Sequence, residues 1–189
     1  GKRGEDDRLR SNLQRALFHL GDYRGSAAQE ELQVAQLRER GDLPTLRARL
    51  GDLAMSYLLA QEEEQAVRCL KEALELPLDT APPLAYHANL GTAYLQLGEL
   101  ALARQHLERA LDGSQEGRAA SRRYTILFNL AAVHRQEGDE PTALRLAQQA
   151  LSEARSAGDD VQSGRLQAMV QELTDALAPW GSPADRLPS

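Results

Sequence analysis

The sequence is poor in cysteine, aromatic and β-branched residues. Among 189 residues it has one cysteine, 4% aromatic residues, and six valine and isoleucine residues together. A single cysteine, Cys69, excludes a disulfide bond within the chain and is typical of a reducing compartment. The scarcity of β-branched residues argues against a substantial sheet, since these residues favour strands. Leu, Ala, Arg, Glu and Gln are abundant instead, so we expect an all-α fold.

The chain also lacks long apolar runs. It has no stretch of about 18 apolar residues, the length that a membrane-spanning helix needs. The first residues, 1–7, lack the apolar run of a signal peptide, and we expect a cytoplasmic protein. Because the sequence does not begin with methionine, it is compatible with a trimmed or excised piece of a longer protein, and the sequence leaves this open. The formal net charge of −6 gives no general attraction for nucleic acids or anionic lipids, so we expect the chain to bind neither directly.

Residues suited to catalysis or metal binding do not cluster in the sequence. The histidines form no i, i+4 pair, and Cys69 has no second metal ligand near it. We expect His87 and His134 to pack in the core and Cys69 to be a buried, inert thiol. The acidic run 62–64 suits the start of a helix. The sequence therefore predicts no metal, no cofactor and no enzymatic activity.

A repeat of about 40 residues is the most informative pattern that is present. Asn12, Asp52, Asn89 and Asn129, here called the Asn/Asp row, are separated by 40, 37 and 40 positions. Each lies on a predicted helix that is followed by a turn, which indicates an array of helix–turn–helix repeats. We expect repeats at about 7–40, 47–76, 84–112 and 124–157. A capping helix at 160–178 and a flexible tail at 179–189 complete the prediction.

The third repeat carries the clearest motif. Its motif residues are Leu90, Gly91, Tyr94, Gly98, Ala103, Leu107 and Ala110. Small residues such as Gly91 and Ala103 let two helices approach, and Leu90, Tyr94 and Leu107 fill the space between them. This pattern resembles the tetratricopeptide repeat. We expect its first helix from Ala81 to Leu97, with Thr80 as the N-cap. Other repeats depart from the pattern, since Gln61 replaces the turn glycine and Ser26 stands where alanine is typical.

The helices of the predicted repeats are longer than the minimal unit requires. In this they resemble the branch of the family that includes kinesin light chains, the Leu-Gly-Asn-repeat adaptors and Rap-type bacterial regulators. The resemblance implies a right-handed superhelix, or α-solenoid, of four repeats plus the capping helix, forming a single domain over residues 1–178. It also implies that the first helix of each pair lines a concave groove.

The resemblance also implies a binding role for the Asn/Asp row. In peptide-binding members, asparagine at this place holds the ligand backbone, since an amide offers both donors and an acceptor. Asp52 can only accept hydrogen bonds, so it should favour a ligand N–H or a basic side chain. Further predicted groove residues are Arg8, Arg15, Met55, Thr92 and Arg135. The alternative is that asparagine is merely common at this place and that the arginines are solvated.

The chaperone-type clamp for a C-terminal carboxylate is not expected. It requires lysine at the fifth place of a repeat, and those places hold Ser11, Gly51, Ala88 and Phe128. The sequence thus predicts a non-catalytic scaffold that holds a protein or peptide segment in its groove. One alternative is a sensor or regulatory module of a bacterial transcription or signalling protein. Another is a self-associating structural module, that is, a homodimer.

Overall fold

The computed structural model describes residues 2–80, 83–113 and 120–178, and these ranges contain helices and no strand. The predicted tail, 179–189, lies outside the described residues. The helices are α1 (Lys2–His19), α2 (Tyr23–Arg40), α3 (Leu43–Leu59), α4 (Glu63–Glu75), α5 (Leu84–Gln96), α6 (Leu100–Asp112), α7 (Ala120–Gln136), α8 (Glu140–Ser156) and α9 (Asp160–Leu177).

The chain forms two compact units, residues 1–99 and residues 100–189. In the first unit each of α1 to α4 packs against the next helix, and α3 also contacts α5. In the second unit α6 packs on α7, α7 on α8, and α8 on α9. The prediction that residues 1–178 form a single domain stays a prediction.

Short turns with one left-handed residue connect most of these helices. Glycine takes this conformation at five places, with φ between 68° and 82°, namely Gly21, Gly41, Gly98, Gly138 and Gly158. After α3 the same place is taken by Gln61, whose φ is 60°. Its neighbour Glu62 donates its backbone N–H to the carbonyl of Tyr57 at 2.9 Å, as Glu99 does to Tyr94. Gln61 therefore makes a glycine-type turn at the steric cost of a side chain.

Aspartate follows four of these glycines and starts the next helix. The carboxylates of Asp22, Asp42, Asp139 and Asp159 each accept a hydrogen bond from a backbone N–H three residues later. This N-cap satisfies a donor that the helix itself cannot pair. A Gly-Asp pair therefore ends one helix and starts another within two residues.

The start of α5 differs from the prediction. The helix begins at Leu84 with Pro83 as its N-cap, and Thr80 does not cap it. Pro83 has an extended backbone, with ψ at 135°, so the chain is not helical there. Thr80 instead binds the guanidinium of Arg47, whose Nη1 and Nη2 donate to its carbonyl and hydroxyl oxygens, each at 2.7 Å. Ala81 lies outside the described residues.

The core of each unit is built from leucine, alanine and valine. Leu50, Leu70 and Leu90 have no exposed surface in the first unit, and neither do Leu107 and Leu166 in the second. These fully buried side chains lie where neighbouring helices meet. The hydrophobic effect of burying these side chains is the main force that holds packed helices together.

Close contact between α3 and α5 depends on Gly51. A Cβ at this position would lie 2.5 Å from the ring of Tyr86, which is closer than two carbon atoms can approach. The Tyr86 hydroxyl donates to the carbonyl oxygen of Arg47 at 2.8 Å, which fixes the ring over the glycine. Gly51 is therefore a packing residue between two first helices.

Two side chains behave as the sequence indicated. His87 is 5% exposed and lies in the core of the first unit. Cys69 is also buried, and this burial raises the pKa of its thiol to about 11. A thiol of that pKa is almost fully protonated at neutral pH, so it is a poor nucleophile.

Candidate functional site: a cavity lined by the first three helices

A cavity of about 220 Å³ opens between α1, α2 and α3 in the first unit. It brings together three of the predicted groove residues, Arg15, Asp52 and Met55. The complete lining is Gln14, Arg15, Phe18, Glu30, Arg49, Asp52 and Met55. We call it the α1–α3 cavity.

Glu30 of α2 is the buried acid of this cavity. The residue is 3% exposed, and its Oε1 accepts a hydrogen bond from Nε2 of Gln14 at 2.8 Å. Its other oxygen, Oε2, is buried without a hydrogen-bond partner in the described part of the chain. None of the ion pairs among the described residues involves Glu30. A buried carboxylate without a paired cation is unusual, because proteins normally neutralise such groups.

Burial shifts the titration of Glu30 into the neutral range. The pKa of its carboxyl rises to about 7, first because of desolvation, and the negative charge of Asp52 adds to the rise. The nearby Ser56 hydroxyl, the positive charge of Arg49 and the hydrogen bond from Gln14 act in the opposite direction and are too weak to cancel it. Glu30 is therefore partly protonated at neutral pH.

Two buried serine hydroxyls lie next to the Gln14 amide that binds Glu30. Gln14 Nε2 also lies 3.2 Å from Ser26 Oγ, and this oxygen lies 3.4 Å from Ser56 Oγ. Both serines have no exposed surface. Gln14 thus links α1 to a polar cluster that α2 and α3 bury.

The rim of the cavity carries exposed charges. Arg49 pairs with Asp52 three residues later at 3.1 Å, and Arg15 donates to Oδ1 of Asn12 at 3.2 Å. Exposed pairs of this kind contribute little to stability, so a ligand can replace them at small cost. Both contacts place an arginine against a member of the Asn/Asp row.

Comparison with known proteins identifies the helical repeats. Residues 83–160 match the sequence profile of the tetratricopeptide repeat. This segment carries tetratricopeptide repeats. No curated protein matches the chain in sequence.

Solved structures extend the likeness over nearly the whole chain. A kinesin light chain protein of Podosopora anserina with nearly identical TPR-like repeats is 19% identical, with a TM-score of 0.62, over 92% of this chain and 98% of that one. BtubC (BKLC) from P. vanneervenii is 16% identical, with a TM-score of 0.63, over 95% and 84%. MamA is 15% identical, with a TM-score of 0.59, over 95% and 100%. These likenesses confirm the predicted all-α fold of the tetratricopeptide kind.

The other predicted groove residues lie outside the α1–α3 cavity. Arg8 is exposed on α1, and Asn89 and Thr92 are half-buried on α5. The Thr92 hydroxyl donates to the carbonyl oxygen of Ala88 at 3.0 Å, within its own helix. Its role in ligand contact stays a prediction, as does that of the other two residues.

Two predicted groove residues belong to the second compact unit. Asn129 is half-buried on α7, and Arg135 is exposed on the same helix. Arg135 pairs with Glu172 of α9 at 3.2 Å. The part of Asn129 and Arg135 in ligand binding stays a prediction.

Glu30 is the site residue that sequence reasoning missed. The signal was present, because Ser26, Glu30 and Val34 recur every four residues on one face of α2, and all three are buried. A carboxylate in the middle of a buried helix face requires a partner or a function. The tetratricopeptide motif concerns the first helices, and Glu30 lies on a second helix.

The described ranges contain neither a cluster of metal ligands nor a membrane-spanning helix. Over residues 2–80, 83–113 and 120–178, no three His, Cys, Asp or Glu side chains come close enough to hold a metal ion. No helix in the described part of the chain combines the length and apolarity needed to span a bilayer.

Proposed function

We propose that the chain is a non-catalytic scaffold whose first helices hold a segment of a partner protein in an extended or helical form. The tetratricopeptide fold supports a role in protein interaction in general. The observation that carries the finer proposal is the α1–α3 cavity, because it joins Arg15, Asp52 and Met55 in one open site on first helices. A cytoplasmic location belongs to the same proposal, and it agrees with the single, buried cysteine.

The Asn/Asp row supplies the contacts to the ligand backbone in this proposal. Asn12 and Asp52 are exposed, and their contacts to Arg15 and Arg49 are local and solvent-screened. A peptide that offers backbone N–H and C=O groups can take the place of these arginines, because the groups on the first helices stay in position. The released arginines are then free to pair with acidic side chains of the ligand.

The experiment begins with selection of random displayed peptides on the full chain. The affinity of a selected peptide is then measured by calorimetry for the wild type and for the triple variant Asn12→Ala, Asn89→Ala and Asn129→Ala. Loss of three amide contacts should weaken binding at least tenfold, since each contributes about 1 kcal/mol. Circular dichroism should show unchanged helicity and melting.

A second triple variant serves as the control. Glu39→Ala, Gln105→Ala and Gln148→Ala remove exposed polar side chains from the second helices α2, α6 and α8. This variant should bind the selected peptide like the wild type. Equal affinities of all three proteins, or a failure to select any peptide, contradict the proposal.

The mass of the free chain in solution distinguishes self-association from the binding of a separate partner. Light scattering of the free chain over a wide concentration range should give the mass of the monomer, 20.8 kDa. A mass that doubles with concentration and falls when the peptide is added indicates instead that the groove binds a second copy of the chain.

A further inference from the structure

We propose that the α1–α3 cavity is a subsite for one lysine side chain of the bound segment, with the ammonium group held by Glu30 and Asp52. The inference rests on the proposed function and names the side chain that this part of the groove selects. It is carried by the geometry of the cavity, whose lining includes a buried acid without a paired cation.

The unpaired oxygen of Glu30 identifies the missing chemical group. Oε1 has its donor in Gln14, while Oε2 is buried without one. Leaving a buried acceptor unsatisfied costs more free energy than a hydrogen bond contributes. A ligand donor that reaches this oxygen removes that cost and so increases the affinity of the ligand. A charged donor forms the stronger bond, because the acceptor is a carboxylate in a site of low dielectric.

The shape and lining favour lysine over other cationic groups. A cavity of about 220 Å³ accepts one long side chain. Phe18 and Met55 offer apolar surface to the methylene stem, and the ammonium is a compact donor that needs no paired acceptors. Arginine suits the site less, because its planar guanidinium binds best to two free oxygens and Glu30 has only one.

Access to Oε2 requires only a small movement. The terminal torsion of a glutamate side chain is soft, so the carboxylate can turn toward the cavity without leaving its rotamer. Asp52 at the rim is exposed, and it gives an entering cation its first electrostatic contact. The charged groups that line the cavity with Glu30 are Asp52 and Arg49 of α3 and Arg15 of α1.

Lysine binding is coupled to a proton. With the pKa of Glu30 at about 7, the carboxyl must lose its proton before it can pair with an ammonium group. Because lysine stays charged throughout, its affinity should rise about tenfold between pH 6 and pH 8. The rise should disappear when Glu30 is replaced by a group that does not titrate.

The test uses four blocked tripeptides and the full chain. Acetyl-Ala-Lys-Ala-amide and its norleucine, arginine and glutamate analogues are titrated into ¹⁵N-labelled protein, and amide shifts are followed at pH 6 and pH 8. The lysine peptide should bind at least tenfold more tightly than the norleucine peptide at pH 8, since the two share the same stem. The shifts should centre on the residues around Glu30 and Asp52.

Two variants assign the effect to the acids. Glu30→Gln should abolish both the preference for lysine and the dependence on pH. Asp52→Asn, at the exposed rim, should weaken lysine binding and keep its dependence on pH. Because Asp52→Asn changes an exposed side chain, it tests the proposal even if Glu30→Gln alters the fold.

Several results overturn the inference. Equal binding of the lysine and norleucine peptides means that no acid receives the ammonium group. Preference for the glutamate peptide means that Arg15 and Arg49 form an anion site instead. If selected peptides bind through the Asn/Asp row and lysine has no effect, only the lysine subsite is wrong. If no selected peptide binds either, the proposed function is wrong as well.

Discussion

Replacement of Glu30 by glutamine should stabilise the protein above neutral pH. In the folded state the pKa of Glu30 is raised from 4.5 to about 7, so the folded protein holds a proton that the unfolded chain releases. The stabilisation from this proton is complete below pH 4.5 and is lost as the pH rises through about 7. Summed over the whole window, the loss amounts to roughly 3 kcal/mol, at about 1.4 kcal/mol for each pH unit.

Glutamine keeps the shape of the side chain and cannot ionise. The free energy of unfolding of Glu30→Gln should therefore exceed that of the wild type by about 1–3 kcal/mol at pH 8, the lower figure allowing for imperfect hydrogen bonding of the amide. Near pH 4.5 the two proteins should have similar stability, since both carry a neutral group at this position. The assay is urea unfolding followed by circular dichroism at several pH values between these limits.

The matched control is Glu39→Gln on the same helix. Glu39 is exposed, so the same change of charge should leave the shape of the pH profile unaltered. Parallel pH profiles for the wild type and Glu30→Gln would refute the reasoning, because they would show that Glu30 titrates normally in the folded protein. A variant less stable than the wild type at pH 8 would refute it too.

Three further changes test the packing and the turns. Gly51→Ala should lower the free energy of unfolding by about 1–3 kcal/mol, because the new methyl group overlaps the ring of Tyr86. The control is Gly164→Ala, where the new Cβ has open space around it. This control should raise the free energy of unfolding by about 0.5–1 kcal/mol. Gln61→Gly should raise the free energy of unfolding by about 0.5–1 kcal/mol and with it the melting temperature, because glycine adopts the left-handed backbone conformation without steric cost. A lower melting temperature would contradict the assignment of this turn. Cys69 should react with a thiol reagent at pH 8 only after unfolding, because its pKa is about 11 and it is buried; rapid labelling of the native chain would disprove this.

Local signals in the sequence account for most of the helix boundaries. The Gly-Asp pairs at 41–42, 138–139 and 158–159 end one helix and cap the next through contacts within a few residues, so the sequence alone carries the information. Helix types and approximate bounds follow from these pairs and from the apolar periodicity. The turn at Gln61 forms without a glycine, because the helices on both sides of it fix its backbone.

The missed features depend on contacts between distant residues. Thr80 does not cap α5, because Arg47, 33 residues earlier, holds its hydroxyl and carbonyl oxygens. The spacing of Ser26, Glu30 and Val34 places Glu30 on one helix face with two other residues, but this face becomes buried only when α1 and α3 cover α2. The role of Gly51 likewise requires knowledge of the Tyr86 ring, 35 residues later. Such features follow from tertiary packing, which a single sequence does not display.

The central claim is that first helices, and not second helices, bind the partner segment. Amide chemical-shift mapping of the ¹⁵N-labelled chain with a display-selected peptide tests it most directly. We expect shifts on α1, α3, α5 and α7, centred on Asn12, Asp52, Asn89 and Asn129, with little change on the second helices. Shifts confined to α2, α4, α6 and α8 would contradict binding by the first helices.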